Sequence, residues 1–385
     1  MTRPVEISVA IAILVGIAAA SLLLDSGKVS KSLILGALFG IVLQRSRFCF
    51  LCHMRDYFSN RDPRGVTALI FALAVGTLGY HVLMTAWLPD PSSGRLPPDA
   101  HIGPVGPALI LAAFVFGIGM AVSGSCISGH LYRLGEGSPT APLALIGTVV
   151  GFGLGFLTWN PLFVASIATA PVVWLPSHLG YTGWLILQLA LLAVLVVLVA
   201  AFTRLPAGTP SAATSALDAA TRSIFVKRWP AAAGGAAVGV LSAVAYFQVQ
   251  PLGVTAAIGS HARAILASLG ALPETLHGLD AFAGCRTAID TGLSNNGTFI
   301  IGLVSASFAA ALVAGQFTPA LPTRGQVIRG LGGGILLGWG AMTAIGCTVG
   351  TLLSGTIAGA ASGWTFLVAS TVGVFATLKL QQRAG

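Results

Sequence analysis

The chain carries very little charge for its length. Only 8% of its 385 residues are charged, whereas a soluble domain carries about 25%. So few charged side chains cannot cover the surface of a soluble protein of this size, and 55% of the residues are hydrophobic. The apolar residues form long runs rather than short alternating strands, which predicts an all-α polytopic membrane bundle and argues against a membrane β-barrel.

Carboxylates are the scarcest charged groups. The chain has 11 Asp and Glu residues, and nearly all of them fall in loops or at the ends of apolar runs. A Na⁺ site or a proton relay usually needs a carboxylate within a span, and Glu136, at the end of a short segment, is the nearest exception. This argues against a cation substrate. The net charge of +9 reflects basic loops beside a membrane rather than nucleic-acid binding.

Ten apolar segments are candidate membrane spans. The nine predicted full spans are Ile7–Leu24, Val66–Leu88, Pro107–Val122, Pro142–Trp159, Gly183–Phe202, Ala232–Phe247, Thr298–Ala314, Gly330–Ala344 and Trp364–Leu380. The tenth segment, Ser32–Leu43, covers about 18 Å, less than the ~30 Å hydrocarbon core. It is either a short helix extended by residues 44–47 or a half-span buried among other helices. Pro161–Leu175 is interrupted by proline and is expected to be re-entrant or interfacial.

The basic residues predict the orientation of the chain. With the amino terminus inside and every segment crossing, 15 Lys and Arg residues lie on the inner side and 5 on the outer side, as the positive-inside rule requires. Ile7–Leu24 is expected to be retained as a first span, because no small-residue cleavage site follows it. We expect a multi-pass protein of a bacterial inner membrane with both termini in the cytoplasm.

One cysteine-bearing stretch occurs twice. Phe114–Gly129 and Ile335–Gly350 align without gaps, and their identical positions are all glycine or cysteine. Because the chain has only 5 cysteines, the superposition of Cys126 on Cys347 indicates a duplication. An odd number of spans separates equivalent segments, so the halves are expected to be inverted, as in many transporters. The predicted divisions are an N-terminal span and loop (1–31), a first repeat (32–180), a connecting span and cytoplasmic linker (181–230) and a second repeat (231–385) with an outer insertion at about 261–296.

Each of these two cysteines is followed by a segment too short to cross a membrane. We interpret Ile127–Gly135 and Thr348–Gly355 as half-helices that begin just after the cysteine. A half-helix directs unpaired N–H groups and the positive end of its dipole into the protein, which forms an anion site beside the thiol. In an inverted arrangement Cys126 is expected nearer the inner side than Cys347. The alternative is that both cysteines are small packing residues.

Cys49 follows the short segment and lies beside two arginines. Arg45 and Arg47 would favour anions at the mouth of a path, or they are ordinary positive-inside anchors. The aligned place in the second half, Gln250–Thr255, has no cysteine. Its Gly253 would let the backbone approach a ligand closely.

Residues 49–53 also match the C-x-x-C-H pattern of covalent haem attachment. The pattern falls at the predicted inner face of a span rather than in a soluble outer domain, so we discount haem. A metal or redox role for the C-x-x-C pair is equally discounted, because no second paired cluster exists. Cys52 is then a packing residue.

The longer outer stretch offers another candidate site. Leu279–Arg286 would form a lid over the outer entrance, with Cys285 and Arg286 as first contacts for substrate. The alternative is a structural loop thiol.

Four motifs resemble the YeeE/YedE family of membrane proteins. They are, in order, RSRFCF at Arg45–Phe50, FGIGMAVSGSCISG at Phe116–Gly129, PLGVTAAIG at Pro251–Gly259 and GWGAMTAIGCTVGTLLSG at Gly338–Gly355. The resemblance implies an hourglass-like bundle of two inverted halves around central short helices. It implies thiosulfate uptake by S–H hydrogen bonds from Cys49, Cys126 and Cys347, beside a cytosolic TusA-type sulfurtransferase. The residues expected to line the path with them are Arg47, Gly129, Gly253, Gly346, Thr348 and Gly350.

The sequence therefore predicts an inner-membrane permease, not an enzyme, that moves thiosulfate or a closely related sulfur oxyanion inward. No cofactor, metal or nucleic acid is expected, and the protein is expected to be a monomer or a homodimer in the lipid bilayer. Two alternatives stay open: a transporter of sulfite, selenite or a related species, and a membrane thiol–disulfide or sulfur-transfer oxidoreductase. The oxidoreductase would need two cysteines whose Cα atoms lie within about 7 Å.

Overall fold

The computed structural model describes residues 3–24, 26–203, 226–282, 287, 289 and 294–384. Within these ranges the chain is helical, and its only β-type pairings are two isolated bridges. The helices are α1 (Arg3–Leu23), α2 (Gly27–Ser46), α3 (Phe50–Asn60), α4 (Arg64–Trp87), α5 (Pro107–Ser123), α6 (Ile127–Gly135), α7 (Ala141–Leu162), α8 (Leu175–Ala201), α9 (Ala231–Gln248), α10 (Thr255–Ser268), α11 (Asn295–Val313), α12 (Arg324–Thr343) and α13 (Ala361–Ala384), with π-helical segments at Phe163–Ile167 and Thr348–Gly355 and a 3₁₀ turn at Leu279–Ala281.

The number of membrane crossings agrees with the sequence. Nine helices of the described chain are long and apolar enough to span a membrane, and α12 with the bent π-helix Thr348–Gly355 makes a tenth. Every predicted span lies within a helix to within one residue at its ends. The predicted all-α membrane bundle is therefore confirmed.

The short segment Ser32–Leu43 is part of a full-length helix. Polar residues at both ends extend α2 to 20 residues, about 30 Å at ~1.5 Å per residue. The half-span alternative is therefore wrong, because the apolar run leaves out the polar residues at both ends of the helix. Pro161–Leu175 is divided between the end of α7, the π-helix Phe163–Ile167 and an irregular stretch before α8.

Two short helices, α3 and α10, were not predicted from the apolar runs. They have 11 and 14 residues and mix polar with apolar side chains, so neither forms a run that hydropathy detects. Each begins at the equivalent place of its half, α3 after Cys49 and α10 after Val254. The described part of the chain thus includes four short helices that start between longer ones: α3, α6, α10 and the π-helix Thr348–Gly355.

The long helices of each half pack mainly against helices of the other half. Helix α2 packs against α11 while its counterpart α9 packs against α4, and α7 packs against α12 while α13 packs against α5. Helices α5 and α12, which carry the repeated stretch, pack against each other. A two-fold relation between the halves would produce this pattern, and the inverted sense of the halves stays a prediction. The predicted linker lies largely on residues 204–225, outside the described ranges.

Two glycines of α7, Gly147 and Gly151, pack against another helix of the same chain. A Cβ on Gly151 would lie 2.8 Å from the backbone nitrogen of Trp339 and 2.9 Å from the Cα of Gly338, both on α12. Gly147 meets the same helix one turn earlier. Small residues allow this close approach in lipid, where packing rather than water drives helix association. These glycines therefore form part of the contact between α7 and α12.

The outward faces of the helices are apolar. Val15 on α1, Ile186 on α8 and Val240 on α9 are each more than half exposed. Such surfaces suit hydrocarbon, where backbone groups are already satisfied within helices. The polar and thiol groups described below lie on the opposite, inward faces.

Candidate functional site

The three cysteines predicted to act share one local geometry. Cys49 directly precedes the first turn of α3, Cys126 that of α6, and Cys347 that of the π-helix Thr348–Gly355. The first N–H groups of a helix have no partner within it, and the helix dipole makes this end positive. Each thiol therefore lies where a helix attracts negative charge. Val254 occupies the same position before α10 but carries no thiol.

Cys49, Cys52 and Cys126 form one buried group, which we call the thiol cluster. The Cys49 thiol contacts the thiols of both Cys52 and Cys126, and its Sγ lies 3.3 Å from Ser125 Oγ. All three cysteines are free of disulfides and buried. The sequence predicts only a packing role for Cys52, but the structure places it against Cys49, and the turn before α6 returns Cys126 to the same place at the start of α3.

Gly129 is required by the thiol cluster. A Cβ at this position would lie 3.2 Å from Cys49 Sγ and 3.3 Å from Cys126 Sγ, and it would collide with Ser125 Oγ. The bare backbone of α6 therefore lets two thiols and a hydroxyl meet at one surface.

The break between α5 and α6 is held by hydrogen bonds. Gly124 ends α5 with φ 91°, in the left-handed region that glycine favours. His130 Nε2 and Ser123 Oγ lie 3.0 Å apart across the break. Arg133 Nη1 donates to the carbonyl of Gly124 at 3.1 Å, and Arg133 Nη2 donates to Cys52 Sγ at 2.9 Å. The position of Cys126 is thus set by residues on both sides of the break.

Cys347 lies in a second site built by two short helices. The thiol is fully buried, and backbone groups of Val349 and Gly350 and the side chain of Thr255 reach it. The π-helix and α10 therefore both direct their first turns at this sulfur. The turn before it requires Gly346, whose φ is 153° and whose Cβ would collide with Thr351.

His101 is a residue of the Cys347 site that sequence reasoning missed. A Cβ on Gly350 would lie 2.9 Å from His101 Cε1, and a Cβ on Gly253 would lie 3.6 Å from His101 Nε2. Two glycines that the sequence singled out thus flank one buried imidazole. Burial lowers the pKa of His101 from 6.5 to about 4, so the ring is neutral at pH 7. The motifs carry no signal for it, because it lies in the loop between α4 and α5.

Thr348 connects the two sites. Thr348 and Cys126 line the same cavity of about 380 Å³, and Thr348 directly follows Cys347 in the chain. Thr348 Oγ1 is buried beside the Cys126 thiol and makes no well-formed hydrogen bond to the described residues. The rest of the cavity wall is almost entirely hydrocarbon, including Leu73, Leu195 and Leu367. An anion would therefore pass along the polar edge at Cys126 and Thr348 rather than fill the cavity.

The two arginines beside Cys49 lie apart from the thiol cluster. Arg47 is exposed and ends α2 with φ 52°. Arg45 is buried, and its side chain donates to the carbonyl of Lys227 while its own carbonyl accepts from Trp229 N–H at 2.9 Å. Arg45 therefore fastens the start of α9 to the end of α2. Cys285 and Arg286 lie outside the described residues.

The sulfur and imidazole groups do not converge as a metal site. Among the described residues, no three His, Cys, Asp or Glu side chains are grouped so as to hold an ion. What the arrangement offers is a series of S–H, O–H and N–H donors inside an apolar bundle. Donors of this kind suit an anion.

Residues 45–376 match the model of the family described as sulphur transport. The chain belongs to this sulphur transport family. The matched range includes Cys49, Cys126, Cys347 and His101.

Two relatives within the sulphur transport family align over nearly the whole chain. The thiosulfate transporter TsuA of Spirochaeta thermophila is 28% identical over 351 residues, which cover 86% of this chain and 92% of that protein. The thiosulfate transporter TsuA of Escherichia coli K12 is 28% identical over 365 residues, 90% of this chain and 92% of that protein. The probable transporter YedE of E. coli K12 is 25% identical over 146 residues, only 38% of this chain and 34% of that protein.

Proposed function

We propose that this chain is a permease that takes up thiosulfate or a closely related sulfur oxyanion across a bacterial inner membrane. The observation that carries the proposal is the placement of three buried cysteines at the N-termini of three short helices, two of them in contact. Two relatives that match over most of their length carry the name thiosulfate transporter, which supports the same substrate class. Their names also support transport rather than catalysis.

The proposed path replaces the water around the anion with weak, neutral donors. S–H groups from the thiol cluster and Cys347 hydrogen-bond to the substrate, and the helix N-termini contribute roughly half a positive charge each. Hydrogen bonds to a charged group are worth about 1.5–3 kcal/mol each. Several weak stations in sequence allow entry without trapping, as conduction requires. No covalent bond to the cysteines forms in this scheme.

Substitution of single cysteines tests the path. Cys126→Ala and Cys347→Ala each remove one station and are expected to lower thiosulfate uptake by about tenfold or more, because a buried anion then lacks a donor. Uptake of radiolabelled thiosulfate into proteoliposomes measures this, with sulfite and selenite as competitors to identify the preferred anion. Wild-type uptake rates in both variants would contradict the role of Cys126 and Cys347 as binding stations.

Two further variants sharpen that experiment. Ser242→Ala removes a buried hydroxyl that bonds only within its own helix, to Val238 O at 2.9 Å, and should leave uptake unchanged. Cys347→Ser keeps a donor but loses the polarisable sulfur. An intermediate rate in Cys347→Ser would show that sulfur itself matters.

The thiol cluster also favours one rival function. Contact between Cys49, Cys52 and Cys126 meets the requirement of a thiol–disulfide or sulfur-transfer oxidoreductase better than scattered cysteines would. Quenching with an alkylating reagent during turnover separates the two functions. A permease keeps all of these thiols reduced and alkylatable, whereas an oxidoreductase accumulates a disulfide or persulfide.

The proposal includes a direction and a recipient. The positive-inside bias puts both termini, the thiol cluster and the end of α6 toward the cytoplasm. A small cytosolic sulfurtransferase of the TusA type would then receive the anion at that side. The protein would act as a monomer or a homodimer.

A further inference from the structure

Arg133 places a positive charge next to the thiol cluster, inside the apolar bundle. It lies near the end of α6, is half-buried, and donates to Cys52 Sγ at 2.9 Å. Ionisable groups within membrane spans are costly and occur where a partner or a substrate offsets the charge. The nature of that partner decides what Arg133 does.

The described residues do not supply a carboxylate to Arg133. Their three ion pairs join Arg55 with Asp56, Arg64 with Asp62, and Arg263 with Asp280. Glu136, the acidic residue closest in sequence, instead lies 3.3 Å from the amide nitrogen of Gln44. Arg133 uses two hydrogen bonds of the five that a guanidinium can donate. Neither acceptor is a carboxylate, so no ion pair among the described residues offsets the charge of Arg133.

A second donor beside Arg133 also lacks an acceptor. The Tyr132 hydroxyl lies next to the guanidinium and to the Cys49 and Cys52 thiols. Its side chain is 1% exposed, and Tyr132 Oη has no well-formed hydrogen bond to any described residue. A buried O–H donor without an acceptor costs free energy unless something binds it. A guanidinium, a phenol and a thiol thus lie side by side, without a carboxylate among the described residues.

We infer that Tyr132, Arg133 and Cys52 form a further anion-binding station, one that receives the oxyanion from Cys49 and Cys126 before release. This inference rests on the proposed function and adds to it a residue that sets selectivity for charge. The planar guanidinium can bind two oxygens of a sulfonate-like group at once. The thiol and the phenol complete the shell. We place this station at the inner end of the path, because Arg133 lies near the end of α6 and the positive-inside rule assigns that end to the cytoplasm.

A purely structural role for Arg133 predicts different behaviour. The hydrogen bond from Arg133 Nη1 to the Gly124 carbonyl holds the break between α5 and α6. If that were its whole role, substitution would lower stability and would alter the rate without regard to the charge of the new side chain. The experiment must therefore separate charge from fold.

Transport kinetics provide the first test. Arg133→Gln is expected to lower kcat for thiosulfate uptake by about tenfold with KM changed less than about twofold, because one charge-assisted contact beyond the entry site is lost. Arg133→Lys keeps the charge and should recover most of the rate. Tyr132→Phe should cause a smaller loss. Arg329→Gln, an exposed arginine on α12, is the control for removing one positive charge and should match the wild type.

Protection of Cys52 provides a second test that needs no transport. In full-length protein whose other four cysteines are serine, sodium thiosulfate should slow alkylation of Cys52 by N-ethylmaleimide relative to sodium chloride at equal ionic strength. The protection should persist with Arg133→Lys and disappear with Arg133→Gln. Direct consumption of the reagent by thiosulfate would slow alkylation equally in every variant, so the Arg133→Gln variant also controls for it.

The two tests distinguish failure of this station from failure of the proposed function. Absence of thiosulfate uptake by the wild-type protein would overturn the function as proposed. Wild-type uptake together with undiminished kcat and undiminished Cys52 protection in Arg133→Gln would overturn the station alone. Loss of folding in Arg133→Gln, seen as a lowered Tm that Arg133→Lys does not restore, would assign Arg133 to the helix break.

Discussion

The groups that line the proposed path are small neutral donors, with Arg133 as the exception. Thiols at Cys49, Cys126 and Cys347 bind an anion weakly enough to release it, whereas a series of buried cations would hold it. Burial of the neutral donors is inexpensive, because a thiol behaves as a small apolar group until an anion arrives. A permease needs this compromise more than it needs high affinity.

His101 makes the stability of the fold depend on pH. Its folded pKa of about 4 lies below the ordinary 6.5, so between these values the unfolded chain binds a proton that the folded chain does not. Stability therefore falls as the pH drops from 6.5 toward 4, by up to about 3 kcal/mol at roughly 1.4 kcal/mol per pKa unit. His101→Asn should flatten this part of the profile.

Thermal unfolding in detergent between pH 4 and pH 7 checks the effect. His178→Asn, which changes an exposed histidine, should keep the wild-type slope. An unchanged slope in His101→Asn would show that another group titrates in this range.

The short helices give the site its chemistry, and the long helices hold them in place. Each short helix contributes one positive end, and each begins where a long helix stops. The two breaks are built differently: Gly124 and Arg133 hold the turn before Cys126, whereas Ile345 and Gly346, both at positive φ, form the turn before Cys347. Two different local structures thus produce the same kind of helix break.

Packing of α7 on α12 is expected to be sensitive to side-chain size. Gly151→Leu would force a side chain into backbone of α12 only 2.8 Å from the Cβ position. Overpacking costs about 1–3 kcal/mol or more, so the variant should unfold at clearly lower temperature or fail to insert. Gly16→Leu on α1, whose Cβ would meet nothing within 4 Å, is the matched control. Equal Tm values for the two variants would contradict the close packing.

For the molecule as a whole, the charge distribution predicts the orientation. The basic residues at the C-terminal end of α13, Lys379 and Arg383, belong to the side that the positive-inside rule assigns to the cytoplasm. Fusions of alkaline phosphatase and green fluorescent protein to the C-terminus should give fluorescence without phosphatase activity. Active phosphatase would reverse the orientation and with it the direction assigned to the path.

Much of the fold was accessible from the chain alone. Hydrophobic runs predicted the long helices because a lipid-exposed helix must be apolar over a length that matches the bilayer. The repeat of glycine and cysteine predicted that a short helix begins directly after Cys126 and after Cys347. A tight turn between closely packed helices accepts few residue types, so it leaves a pattern in the sequence. The helices α3 and α10 were not predicted because they are short and mix polar with apolar residues, and mainly their first turns are buried within the bundle.

The amino-acid sequence by itself determined where the thiols lie along the chain and which segments are apolar enough to span a membrane. Both are local properties of the sequence. The meeting of Cys49 with Cys126, and of His101 with Gly253 and Gly350, depends on how separate helices pack. Neither contact leaves a pattern in the sequence, because the partners lie far apart in the chain. Side-chain contacts of that kind arise when backbones approach closely, and the close approach at Gly129 and Gly350 is a property of the assembled bundle.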